Sequence, residues 1–123
     1  METIRNISIQ TNAGQDFYLL LGNFLDEYYA KGLDKRTLMV EDPPLDMTSR
    51  ELLPFLAATT HKLCNDCGFP PPSWVFKEQC YLRGLPFFAC NAKGNLRLLF
   101  MYKSPIEFKH RNLFVDENAL VRL

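Results

Sequence analysis

Two stretches of this chain carry apolar residues at the spacing of an amphipathic α-helix, and this periodicity constrains the fold more than any other feature. In the first stretch, apolar positions recur from Phe17 to Tyr28 at i, i+3, i+4, i+7 and i+11. We expect a helix over residues Ala13–Lys31 that stops at Gly32, because glycine readily takes the backbone conformation that ends a helix.

The second helical stretch covers Leu53–Cys67 and has a start and a stop signal of its own. Thr48-Ser49-Arg50-Glu51 has the pattern of a capping box, in which a Thr hydroxyl and a Glu carboxylate bind each other's backbone N–H. Gly68 follows as the stop. We therefore predict a helix that begins at the capping box, with a kink at Pro54 because proline has no N–H to donate.

Proline-rich segments separate the predicted helices. Glu41-Asp42-Pro43-Pro44 lies in a predicted non-helical connector over Leu33–Met47, since each proline pushes its predecessor toward extended geometry. After Pro70-Pro71-Pro72, Ser73 is expected to cap a shorter helix from Trp74 to about Arg83.

Both ends of the chain are harder to interpret. The first twelve residues contain Ile4, Ile7 and Ile9, an alternation that is too short to distinguish a strand from an ordered arm. The run Leu96–Tyr102 fits a buried helix or a strand, and we favour the helix. Ser104-Pro105-Ile106-Glu107 then predicts a new helix start, with Ser as its cap.

These elements predict one fold class. The chain has 123 residues and 47% hydrophobic content, enough for one domain to bury its own core. We expect a mainly α, compact single domain over residues 1–123, in which residues 1–12 are a strand or an arm. Two longer amphipathic helices should pack with shorter C-terminal helices, and a last turn through Leu120 should be capped by Asp116.

Cys64-Asn65-Asp66-Cys67-Gly68 is the one segment that resembles a metal-binding motif, with His61 three residues before it. Cys80 and Cys90 are too far apart in sequence to supply the second close pair of a closed zinc site. Because both motif cysteines fall on the apolar stripe of a helix, we expect buried thiols and no metal, with zinc binding by His61, Cys64 and Cys67 as the alternative.

No motif in the sequence indicates an enzyme or a cofactor. The glycines lack the spacing of a phosphate-binding loop, and the adjacent carboxylates are typical of solvated surfaces. With Lys plus Arg equal to Asp plus Glu, at 14 each, the net charge of zero gives no general attraction to nucleic acid. The absence of a long apolar run predicts a cytoplasmic protein without a membrane partner.

Three motifs together resemble a bacterial family of uncharacterised helical proteins. The motifs are Glu41-Asp42-Pro43-Pro44, then residues 57–61 with Gly68-Phe69-Pro70-Pro71-Pro72-Ser73-Trp74-Val75, and finally the segment from Ser104 to Val115. Members of that family are sometimes fused to, or encoded beside, helix-turn-helix regulators and toxin–antitoxin genes. The resemblance implies a helical domain that works near such systems and is not an enzyme. No fused helix-turn-helix segment is evident in this sequence, so a repressor is not implied.

The C-terminal third is the most basic part of the chain and also carries aromatic residues. We therefore expect a non-enzymatic interaction module, antitoxin-like or regulatory, whose partner is a protein such as a toxin or a regulator. Nucleic acid is the alternative partner, and the oligomeric state stays open. The predicted docking surface consists of Phe108, Lys109, His110, Arg111 and Phe114.

Overall fold

The computed structural model describes residues 1–121 and shows a mainly helical domain. Its α-helices are α1 (Ile4–Asn12), α2 (Phe17–Ala30), α3 (Leu33–Glu41), α4 (Leu52–Cys67), α5 (Asn95–Lys103) and α6 (Ile106–Lys109). The two strands of a small parallel pair are β1 (Phe87–Phe88) and β2 (Leu113–Phe114). The predicted fold class is therefore confirmed, whereas the last two residues of the predicted domain lie outside the described residues.

The N-terminal segment is a helix, and the expected strand or arm was wrong. Thr3 caps α1 by accepting the N–H of Asn6 at 3.0 Å. Ile4 and Ile7 are fully buried, as residues three apart on one helix face should be, whereas Ile9 is exposed. The apparent alternation came from Ile9, which points away from the core.

The first long helix is confirmed, although it starts later than predicted. Asp16 caps α2, and its carboxylate accepts the N–H of Leu19 at 3.0 Å. Gly32 does not end α2 directly, since it is the residue that precedes α3. The predicted connector was thus wrong in its first half, where α3 buries Met39 and Val40, and right at Pro43-Pro44, where no helix continues.

The second long helix, α4, is also confirmed, but the capping box is not formed. The helix starts at Leu52, and the structure gives no side-chain cap at its beginning. Pro54 therefore falls in the first turn, where the missing N–H has no intrahelical partner to lose. At the other end Gly68 has φ 77°, and the N–H of Phe69 reaches the carbonyl of Cys64 at 3.1 Å, as predicted for a glycine stop.

The segment after the three prolines departs from the prediction. Two short 3-10 helices, Ser73–Phe76 and Glu78–Cys80, replace the single helix expected up to Arg83, and Ser73 makes no side-chain cap. Lys77 between them is extended, with ψ 149°. Trp74 anchors this region because its indole N–H donates to the carbonyl of Val40 at 3.1 Å.

The C-terminal part folds around Ser104, which does not cap α6. Its hydroxyl lies 2.6 Å from the carbonyl of Phe100 and 2.7 Å from that of Val115, and it accepts the N–H of Val115 at 2.7 Å. Pro105 takes the cap position of α6. Asp116 starts the predicted last turn, since its side chain accepts the N–H of Asn118 at 2.8 Å.

One core unites these elements. Its aromatic residues include Trp74 of the first 3-10 helix, Phe24 and Tyr28 of α2, Phe55 of α4 and Phe108 of α6. Phe55 contacts Phe108 edge to face at a centroid distance of 5.2 Å. Because α5 adds only Phe100 to the buried residues, this helix lies at the outside of the domain.

A candidate docking helix at the C-terminal end

The predicted docking surface does not exist as a continuous exposed surface. Phe108 is 0% exposed and Arg111 is 1% exposed, so both belong to the interior. Lys109 and Phe114 are half-buried, and His110 is exposed. A partner therefore meets three of the five predicted residues at most, and the interpretation of Phe108 and Arg111 as contact residues was wrong for the folded chain.

Arg111 has a structural role instead. Its two terminal nitrogens donate to the carbonyls of Glu107 at 3.0 Å and Val75 at 2.8 Å. The guanidinium also lies over the ring of Tyr81 at 4.7 Å from the centroid. Burial lowers the pKa of Arg111, partly opposed by the negative charge of Glu107 among nearby groups. Arg111 thus ties α6 to the first 3-10 helix.

The neighbouring Asn112 fixes the turn that leads into β2. Its φ of 65° is in the left-handed region, which asparagine tolerates better than most residues. Its side-chain amide donates to the carbonyl of Gly84 at 3.1 Å, next to the strand pair. Arg111 and Asn112 therefore hold the turn that connects α6 to β2.

The helix α5 carries several large apolar residues that are exposed near the predicted site. Leu98 is 64% and Tyr102 78% exposed, and these two residues are one turn apart on the side opposite the buried Phe100. Leu99 and Met101, on either side of them, are about half exposed. We call these four residues, Leu98, Leu99, Met101 and Tyr102, the α5 ridge.

Basic side chains lie on both sides of the α5 ridge. Arg97 and Lys103 are three positions from Phe100 in opposite directions, so they flank the face that packs on the domain. The guanidinium of Arg97 lies 4.4 Å from the ring centroid of Phe88 in β1. Lys109 donates to the carbonyl of Tyr102 at 2.6 Å. The ridge is thus an apolar strip bordered by cations.

Sequence reasoning identified α5 as a helix but expected Leu96–Tyr102 to be buried. Apolar residues occur at nearly every position of this run, so the sequence does not indicate which face of the helix points inward. The available signal was Arg97, which would have to be buried if the whole run were enclosed, and an unpaired buried cation is costly.

The cysteine motif is occupied by contacts within the domain. The hydroxyl of Tyr28 lies 3.3 Å from Sγ of Cys67, and Nη1 of Arg36 donates to the same sulfur at 3.3 Å. Burial raises the pKa of Cys64 to about 12, so its thiol stays protonated at neutral pH. Within residues 1–121, no group of three or more His, Cys, Asp and Glu side chains is arranged to hold a metal ion.

In the contacts that the structure shows, His61 faces Arg111 and does not meet either cysteine sulfur. Its Nδ1 lies 3.2 Å from Nη1 of Arg111, and its ring meets that of Phe76 edge to face at 5.1 Å. Burial, and then the charge of Arg111, lower the pKa of His61. The geometry therefore places this histidine in a structural contact with Arg111.

Comparison of the chain with protein-family models, curated proteins and solved structures gives no significant match. Among the described residues, no helix combines the length and apolar character that crossing a membrane requires. The fold and the surface together define the class: a mainly helical domain that presents an exposed apolar helix with basic borders.

Proposed function

We propose that this protein is a non-enzymatic interaction module of the cytoplasm, antitoxin-like or regulatory, and that α5 is its recognition helix. The α5 ridge would lie in an apolar groove of a protein partner. Half-buried Lys109 and exposed His110, which belong to the docking surface expected from the sequence, follow α5 and would contact the border of the same groove.

The observation that carries this proposal is the direction of the apolar residues on α5. Helices at a domain surface normally turn their apolar face inward, whereas this helix turns one buried residue inward and four large apolar residues outward. Residues at i, i+3 and i+4 on an exposed face are the pattern by which helices insert into grooves. Leu98, Met101 and Tyr102 have this spacing.

Covering the ridge would supply part of the free energy of binding in a specific complex. Complete burial of one leucine or methionine side chain contributes about 1.5–3 kcal/mol. Tyr102 is also the type of residue that concentrates binding energy at interfaces. Phe100 and the Ser104 hydroxyl hold α5 on the domain before any partner binds. Little conformational entropy is therefore lost on docking.

The basic borders restrict which protein can bind. Between residues 93 and 109 the sequence has Lys93, Arg97, Lys103 and Lys109 against one acid, Glu107, which is buried. A partner groove with acidic borders would therefore be favoured over a basic one. Added salt should slow association, because charge attraction at a rim acts mainly on the association rate.

The test is capture of partners with the tagged protein at native expression level after nuclease treatment, read by quantitative mass spectrometry. We expect one protein at near-stoichiometric yield from the parent chain and its loss from the Leu98→Glu, Tyr102→Glu double variant. Leu38→Glu is the matched control, since Leu38 is about half exposed in α3, another nine-residue helix. Equal capture by the double variant would overturn the proposal, as would nucleic acid recovered in place of a protein when nuclease is omitted.

A further inference from the structure

A second apolar surface lies close to α5 and is shaped as a groove. It is lined by Tyr18, Leu21, Leu25, Phe55, Val115 and Ala119, and its cavity has a volume of about 240 Å³. This volume is below the range of about 300–1,000 Å³ that holds a drug-sized ligand or cofactor. We call it the Tyr18 groove, and its size suits one or two large side chains.

The border of the Tyr18 groove is acidic. Asp116 is one of its lining residues. Asp16 caps α2 two residues before the lining residue Tyr18, and Glu51 precedes α4 one helical turn before the lining residue Phe55. The groove thus has the two properties that the α5 ridge requires of a partner, an apolar floor and acidic edges.

We propose that the α5 ridge of one copy of this chain occupies the Tyr18 groove of a second copy. The ridge and the groove are complementary in charge, since one is bordered by Arg97 and Lys103 and the other by Asp16, Glu51 and Asp116. Packing of α5 on α5 would instead bring the cations of two copies together. This inference rests on the proposed function in that it uses the same ridge.

The positions of the two surfaces favour a two-fold dimer. Val115 lines the groove, and its backbone is hydrogen-bonded to Ser104 at the end of α5. The ridge and the groove are neighbours on one copy. A two-fold axis beside them would therefore let the ridge of each copy enter the groove of the other copy.

A single ridge would be too small for a stable interface. Nine helical residues span about 14 Å, and the ridge covers one side of that length, whereas specific interfaces bury roughly 800 Å² per partner. The reciprocal arrangement doubles the contact. It also covers the ridge in the absence of another protein, so the dimer and the partner complex should exclude each other.

Sedimentation velocity over a wide concentration range tests the dimer. We expect the parent chain to dimerise, with weaker association at high salt. The ridge variant Leu98→Glu, Tyr102→Glu and the groove variants Ala119→Trp and Tyr18→Lys should each weaken dimerisation about tenfold or more, with circular dichroism confirming the fold. Leu38→Glu should dimerise like the parent.

Mixing provides the sharper test. A ridge variant keeps its groove and a groove variant keeps its ridge, so an equimolar mixture should form a heterodimer with one intact contact, more stable than either variant alone. A parent chain that stays monomeric, or a dimer unaffected by both groove variants, would overturn this inference. Partner capture by the monomeric Ala119→Trp chain would still support the proposed function, because that variant keeps its ridge.

Discussion

Nη1 of Arg111 lies 3.2 Å from Nδ1 of His61, across a half-buried space between α6 and α4. A guanidinium can only donate, so Nδ1 must be the acceptor and the imidazole proton resides on Nε2. The neutral histidine is therefore the form that fits this contact. Protonation would place a second positive charge beside Arg111.

This contact predicts a pH dependence of stability. Because the pKa of His61 is lower in the folded chain than its usual value of 6.5, the unfolded chain binds more protons, and stability rises with pH. The contribution is complete above pH 6.5 and falls as the pH drops toward the folded value. Urea unfolding between pH 7.5 and pH 5 should show a decline that His61→Gln reduces.

The control for this pH prediction is His110→Gln. This variant removes the second histidine of the sequence, which is exposed and lies next to Arg111 in the chain. That variant should keep most of the decline of the parent chain, because burial and the charge of Arg111 lower the pKa of His61 more than His110 does. A decline of unchanged size in His61→Gln would contradict the assigned contact, since some other group would then titrate.

Removal of the Arg111 side chain should destabilise the domain strongly. Arg111→Met keeps the apolar stem but leaves the carbonyls of Val75 and Glu107 without their donor, and each buried unpaired group costs about 1–3 kcal/mol. We expect a loss of roughly 2–5 kcal/mol in the free energy of unfolding. Thermal and urea unfolding should show a much smaller loss for His110→Ala beside it.

The role of Arg111 shows where the sequence becomes uninformative. A basic residue next to Lys109 and His110 suggests a charged surface, and average burial tendencies support that interpretation. Its carbonyl acceptor on Val75 is 36 residues away in the chain. Which of several adjacent cations turns inward depends on this distant partner, and no local pattern specifies it.

The helices α1 and α3 were missed for a different reason, which is the shortness of their signals. Thr3 before α1 and Gly32 before α3 are local signals, and the helix α3 is short and has little apolar periodicity. The long helices α2 and α4 were predictable because their apolar stripes span several turns. The pairing of β1 with β2 was not, since two-residue strands 26 positions apart at Phe87 and Leu113 leave no periodic pattern.

The left-handed turn at Asn112 yields a test of backbone geometry. Asn112→Val should lower stability by roughly 1–3 kcal/mol, because a β-branched residue is strained at a φ of 65°. Asn112→Gly loses the same hydrogen bond to Gly84 but tolerates the backbone, so its loss should be smaller. Equal losses in thermal unfolding would show that the hydrogen bond, and not the backbone, dominates.

Metal removal distinguishes a domain that is stable without metal from a zinc-stabilised one. The sulfur of Cys67 is hydrogen-bonded to Tyr28 and Arg36, and Cys64 is buried and protonated. A chelator should therefore leave the melting temperature unchanged. Differential scanning calorimetry with and without EDTA checks this. A clear decrease in melting temperature would indicate a structural metal, since metal binding of that kind contributes directly to folding.

The most direct measurement for α5 as a recognition helix is site-specific photo-crosslinking in cells. A benzophenone amino acid replaces Tyr102, which is 78% exposed on the α5 ridge, or Phe76, which is 52% exposed elsewhere. We predict a discrete covalent adduct with another protein chain from position 102 and none from position 76. Absence of an adduct at position 102, or the same adduct from both positions, would contradict a docking role for this helix.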